Sequence, residues 1–130
     1  MRIEIKELYD YLAQCNDELN INEKQFINLK TLKLVEKYLT NTKNKNIIDI
    51  YNKSKHYRET LDNQINLDKL KDSAWNLNDE LFGIKLNSID AIILRFLLGT
   101  TENNCEKEYF EQSLDFDDYL IDLVEELGYI

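Results

Sequence analysis

The stretch Ser88-Ile89-Asp90-Ala91-Ile92-Ile93-Leu94-Arg95-Phe96-Leu97-Leu98-Gly99 decides the fold. Ser88 offers a hydroxyl to the free amides of a first helical turn, so the spacing predicts a short helix opening there and ending before Gly99. Its residues Ile89, Ala91, Ile92, Ile93, Leu94, Phe96, Leu97 and Leu98 are apolar on nearly all sides. A helix of that kind is stable in water only when neighbours wrap it, so it is predicted to be the centre of the fold, near 88–98. The run is broken by Arg95 and falls far short of the ~20 apolar residues that span a bilayer.

Working outward, the rest of the chain reads as the wrapping. Ile5, Leu8, Tyr9, Leu12, Cys15 and Leu19 form one face of a helix of 3.6-residue period. Asn22 is a candidate cap for a second helix, with Gln25 reaching back and Ile21 and Phe26 as a hydrophobic staple; it runs on through Leu29, Leu32, Val35, Tyr38 and Leu39. After a polar turn over 40–46, Ile47, Ile50, Tyr51, Ser54, Tyr57 and Leu61 mark a third. Asn66 caps a fourth carrying Leu67, Leu70, Ala74, Leu77 and Leu81, with Trp75 beside its core face, and Gly83 stops it in a left-handed turn. Residues 101–113 are weakly phased. A last helix is expected from Asp115 as cap, with Phe116, Leu120, Leu123, Val124 and Leu127 inward and Gly128 as terminator. The one candidate extended piece is a stub at 2–5. The expectation is an all-α chain, 1–130, forming a single compact domain of six or seven helices.

Composition agrees with that reading and excludes much else. A chain of 130 residues is the size of one domain, and 43% apolar residues suffice for a core. Three Gly and no Pro leave no phosphate-cradling loop and no flexible linker. The two cysteines, Cys15 and Cys105, form neither a C-x-x-C motif nor a dense disulfide framework, and read as free thiols of a reducing compartment. With no apolar signal core in Met1–Glu7, a cytoplasmic location is expected.

Chemistry is sparse. The one His, His56, lies among Lys53, Lys55 and Arg58 on a face that reads as solvated, and Lys53 stands where a Glu-x-x-His metal motif needs Glu. A calcium loop from Asp115 fails at Tyr119 and Leu120, its fifth and sixth positions. No serine sits in G-x-S-x-G, and Cys105, between Asn104 and Glu106, lies in acidic surroundings that oppose a thiolate. No catalytic residue, cofactor or metal is expected, and the chain is not read as an enzyme.

Charge is the informative feature. The net charge is −9. Residues 1–60 carry 11 basic against 9 acidic side chains, whereas residues 101–130 carry Lys107 alone against ten acids. On the last helix Asp118, Asp122, Glu125 and Glu126 recur at i, i+4, i+7 and i+8, with Asp115 and Asp117 extending the stripe; Glu102, Glu106, Glu108 and Glu111 lie upstream around Tyr109 and Phe110. Like charges at i, i+4 cost helix stability, so such a stripe is either a solvated face or a docking surface for a basic partner. As a docking surface it would use Asp117, Asp118, Asp122, Glu125, Glu126, Glu108 and Glu111 as ion-pair partners and Tyr109, Phe110 and Tyr119 as anchors. A field of this sign repels phosphate backbones and acidic lipids, so direct nucleic-acid or membrane binding is not expected.

The segment Leu70-Lys71-Asp72-Ser73-Ala74-Trp75-Asn76-Leu77-Asn78-Asp79-Glu80 places Ala-Trp among acids on a helix. In it, and in being small, acidic and helical, the chain resembles the bacterial immunity proteins that accompany contact-dependent growth-inhibition and other polymorphic toxins. The segment covers about a tenth of the chain. The resemblance implies a stoichiometric inhibitor of a cognate, basic toxin such as a nuclease, acting in the cytoplasm of the producing cell. Two other readings stay open at this point: a phage-encoded, nucleic-acid-mimicking inhibitor of a host defence nuclease of the anti-CRISPR type, and a helical regulatory adaptor. The oligomeric state is open as well.

Overall fold

In a computed structural model describing residues 2–129, the apolar stretch forms α5, Ile89–Thr100, and it is wrapped as its composition requires. Ser88 caps it by accepting from the Ala91 amide at 3.2 Å. Ile92, Ile93, Leu94, Phe96 and Leu97 are fully buried, each contributing about 1.5–3 kcal/mol of transfer free energy. Around α5 stand α1 (Ile3–Ala13), α2 (Ile21–Glu36), α3 (Lys45–Thr60), α4 (Leu67–Leu81) and α6 (Lys107–Glu126). Helices α2, α3, α4 and α6 pack directly on α5, and α1 closes the structure by packing on α6. The chain is an all-α, single compact domain, with no strand among the described residues.

Helix ends follow side-chain chemistry, with several departures from the sequence reading: α5 does not stop before Gly99 but carries it and ends at Thr100, and α2 ends at Glu36, short of Tyr38 and Leu39. Asn66 caps α4 through the Lys69 amide, and Gly83 takes up the left-handed turn after it. The cap of α2 is Asn20 rather than Asn22: Asn20 accepts from the Glu23 amide while Glu23 accepts from the Asn20 amide, both at 2.9 Å, a reciprocal capping box. The stub at 2–5 is instead the start of α1, because Ile5 and Leu8 need a helical phase to reach the core. Helix α6 begins at Lys107, so Asp115 lies mid-helix and caps nothing. The inward residues of α6 are Phe110, Leu114, Asp117, Leu120, Ile121 and Val124, and five of them, 110-114-117-121-124, keep a 4-3-4-3 spacing.

Arg58, read as part of a solvated face, is buried. From α3 it crosses to the C-terminal end of α5, where its Nε and Nη2 donate to the Thr100 carbonyl at 3.1 and 2.8 Å. Nη2 also donates to the Glu102 carbonyl at 3.0 Å, and Nη1 to Gln25 Oε1 at 3.1 Å. No carboxylate balances this charge among the described residues; the partial negative charge of the α5 carbonyls does. Burial pulls the Arg58 pKa down to about 10, still charged at neutral pH. Ser54 and Thr100 hydroxyls meet beside it at 2.9 Å, completing a polar seam through the core.

Several expected inward residues are not inward. Leu61 ends α3 in a left-handed conformation and is exposed, as are Leu81, Phe116 and Leu127 at the margins of their helical faces. Trp75, expected against the core, is 40% exposed. Its ring packs under the Arg95 guanidinium at 5.7 Å, and Arg95 is itself held by Asn78 Oδ1 at 3.1 Å and the Gly83 carbonyl at 3.0 Å.

Candidate functional site

The acidic residues of α6 divide into three groups with different surroundings. Toward its C-terminal end, Asp118, Asp122 and Glu125 share one cation: Arg2, arriving just ahead of α1, lies 2.9, 2.6 and 3.0 Å from them. Partial burial works against the Arg2 charge, and the three carboxylates outweigh it and hold the guanidinium protonated. This part of the expected docking stripe is therefore already engaged within the chain. Glu126, one position on, remains exposed.

The second group lies at the start of α6. Glu106, Glu108 and Glu111, with Asp17 from the loop after α1, surround an open depression of about 510 Å³. The loop is held there by backbone bonds on both sides: the Leu19 amide donates to the Cys105 carbonyl at 2.7 Å and the Lys107 amide to the Asp17 carbonyl at 2.8 Å. Lys107, the one base lining the depression, turns its ammonium to the Cys15 carbonyl at 3.2 Å. Among the described residues no ion pair reaches these four acids. Asp115, farther along, accepts from the Tyr9 hydroxyl and so belongs to the α1–α6 contact.

Asp117 stands apart from both. Expected as part of the outward stripe, it occupies the inward row and is 4% exposed. Among the described residues no hydrogen bond or ion pair reaches its carboxylate, and burial pushes its pKa up to about 8. Of the expected aromatic anchors, Phe110 is buried in the core and Tyr109 is half-buried, with its ring edge-on to Phe110 at 5.3 Å. Tyr119 is 50% exposed and remains an available surface ring beside Phe116.

Asp117 opens onto a groove that sequence reasoning missed. Helices α4 and α6 both pack on α5 and leave between them a channel of about 290 Å³, floored by Leu98 and Gly99 and lined by Trp75, Arg95, Glu102, Tyr109, Phe116 and Asp117. A β-carbon at Gly99 would lie 3.4 Å from the Ser113 hydroxyl oxygen, in ordinary contact, so α5 and α6 lie close together at the groove floor. The one signal available in the sequence was the 110-114-117-121-124 spacing, in which an acid takes an apolar place.

Both cysteine thiols are held away from the thiolate form. The Cys105 thiol donates to Glu18 Oε1 at 3.3 Å, a contact that raises its pKa, and Cys15 is raised to about 11 by burial. His56 is exposed and bonded to Asp62 at 3.0 Å. Among the described residues no group of three His, Cys, Asp or Glu is placed to hold a metal ion, and no helix is long and apolar enough to cross a membrane. No family model, no curated protein and no solved structure matches the chain.

Proposed function

We propose that the protein is a stoichiometric binding protein that docks a basic protein partner through its acidic face, in the manner of an immunity protein neutralising a cognate toxin in the cytoplasm. The observation that carries this reading is the group Asp17, Glu106, Glu108 and Glu111, four acids around one depression with no ion pair among the described residues. Four carboxylates beside a single ammonium, itself turned to the Cys15 carbonyl, repel one another, and a cationic surface brought against them relieves that repulsion. The footprint proposed here centres on the first turns of α6 and reaches Asp118, Asp122, Glu125, Glu126 and Tyr119 only at its edge, because Arg2 occupies the intervening stripe.

The test is affinity capture from lysate of the source cells, with the full chain beside a variant carrying Asp17→Asn, Glu106→Gln, Glu108→Gln and Glu111→Gln. The expected result is one basic protein retained stoichiometrically by the wild-type chain and lost by the variant. Retention of the same protein by both would overturn the assignment to these acids. Failure to retain any basic protein would overturn the docking reading itself.

A further inference from the structure

The groove between α4 and α6 combines three features that converge on one kind of guest. Its walls are aromatic: Trp75 and Phe116 are 40% and 39% exposed, and Tyr109 is half-buried beside them. An aromatic face attracts a cation through its quadrupole, and Trp75 already takes the Arg95 guanidinium that way. Asp117, nine-tenths buried and lining the same groove, has no partner among the described residues. A buried carboxylate without a protein partner is costly to ionise, and a proton, water or a cationic ligand must compensate it.

Two other charged residues line the groove with Asp117. Arg95 from α5 turns Nε and Nη2 to Asn78 and Gly83 and has no carboxylate partner among the described residues, and Glu102, after α5, is matched by Lys71 at 2.9 Å. From α2 the neighbours are the neutral Asn28 and Thr31, and from α6 the phenol Tyr109 and the hydroxyl Ser113. Arg58, from α3, is committed to the α5 carbonyls. Of the two acids lining the groove, Asp117 is the one without a partner among the described residues, and a cationic guest would supply it.

We propose that this groove is a receptor pocket for a single cationic side chain, guanidinium or alkylammonium, with Asp117 as counter-ion and Trp75, Tyr109 and Phe116 as walls. That the guest is an arginine or lysine presented by a protein partner rests on the function proposed above. The pocket itself does not depend on the unpaired acids at the start of α6.

Trp75 is the chain's one tryptophan, so its fluorescence reads the groove directly. The full chain is titrated with N-acetylargininamide, and with N-acetylcitrullinamide as a neutral isostere. A saturable change in Trp75 emission is expected with the arginine compound and none with the citrulline compound. Asp117→Asn, verified as folded by circular dichroism, should bind about tenfold more weakly or worse, and Phe116→Ala should also weaken binding. In the wild-type chain alone, affinity should rise from about pH 6 to about pH 8, because the guest needs the ionised Asp117. No saturable response up to ~0.1 M, far above the mM affinity of a weak fragment, would overturn the pocket. So would an equal response to the citrulline compound, or unchanged affinity in Asp117→Asn. Saturation by argininamide with no basic protein captured overturns the docking reading and leaves the pocket standing. A captured partner whose affinity ignores Asp117→Asn does the reverse.

Discussion

Arg2 Nη2 lies 2.6 Å from Asp122 Oδ1, tying the residue just ahead of α1 to the outer face of α6 across 120 positions of sequence. The same guanidinium reaches Asp118 and Glu125. Without it, three carboxylates one helical turn apart would face water and each other.

Replacing Arg2 by Gln should therefore destabilise the chain by about 1 kcal/mol at low ionic strength, with the loss shrinking as salt screens the exposed charges. Urea denaturation at two salt concentrations measures this. A loss that is equal at both would mean that Arg2 acts through packing of its aliphatic stem instead.

Arg58 at the C-terminal end of α5 has the opposite character, buried and committed to backbone carbonyls. Arg58→Met keeps the volume but leaves the Thr100 and Glu102 carbonyls and Gln25 Oε1 without their donor, at a cost of about 3 kcal/mol. Arg58→Lys should recover only part of that, since an ammonium cannot reproduce the planar fork. Equilibrium unfolding of the two variants gives the ranking; equal stability of wild type and Arg58→Met would contradict it.

Asp117 gives the chain a specific pH dependence. Burial raises its pKa from 3.8 to about 8, so between those values the folded chain keeps a proton that the unfolded chain has lost. The folded state then binds more protons, and the contribution of Asp117 to stability falls as pH rises through that window. Asp117→Asn removes the slope: its unfolding free energy, from urea denaturation, should exceed that of wild type by a margin that grows from about pH 5 to about pH 8, reaching roughly 2 kcal/mol or more. A margin that shrinks with rising pH would contradict the burial argument.

How far sequence alone reaches can be followed residue by residue. Helix α5 is legible because its apolar residues leave no polar face and Ser88 marks its start. Asn66 and Gly83 are equally local signals, one side chain bonding an amide three residues on, one backbone taking a left-handed turn. Helix α6 is harder, because the acids Glu106, Glu108 and Glu111 dilute the periodicity of its first turns and Asp115-Phe116 imitates a cap and staple. The inward row contains Asp117, so counting apolar residues splits one helix in two. Arg58 beside Lys53 and Lys55 looks like surface charge, and only the approach of α5 makes it core. The pairing of Arg2 with Asp122 carries no local signal at all. Two parts of the candidate site, the engaged stripe and the aromatic groove, depend on contacts between distant segments, and there the sequence pattern is silent.

The central claim is that unpaired acids at the start of α6 steer a basic partner to this face. The most direct test is the association rate constant of the captured partner, measured by stopped flow from about 50 to about 500 mM salt, for the wild-type chain and for the Asp17→Asn, Glu106→Gln, Glu108→Gln, Glu111→Gln variant. Electrostatic steering predicts a wild-type rate that falls about tenfold or more over that range and a variant rate that is slow and nearly flat. A wild-type rate indifferent to salt, or a variant that keeps the full salt dependence, would contradict it.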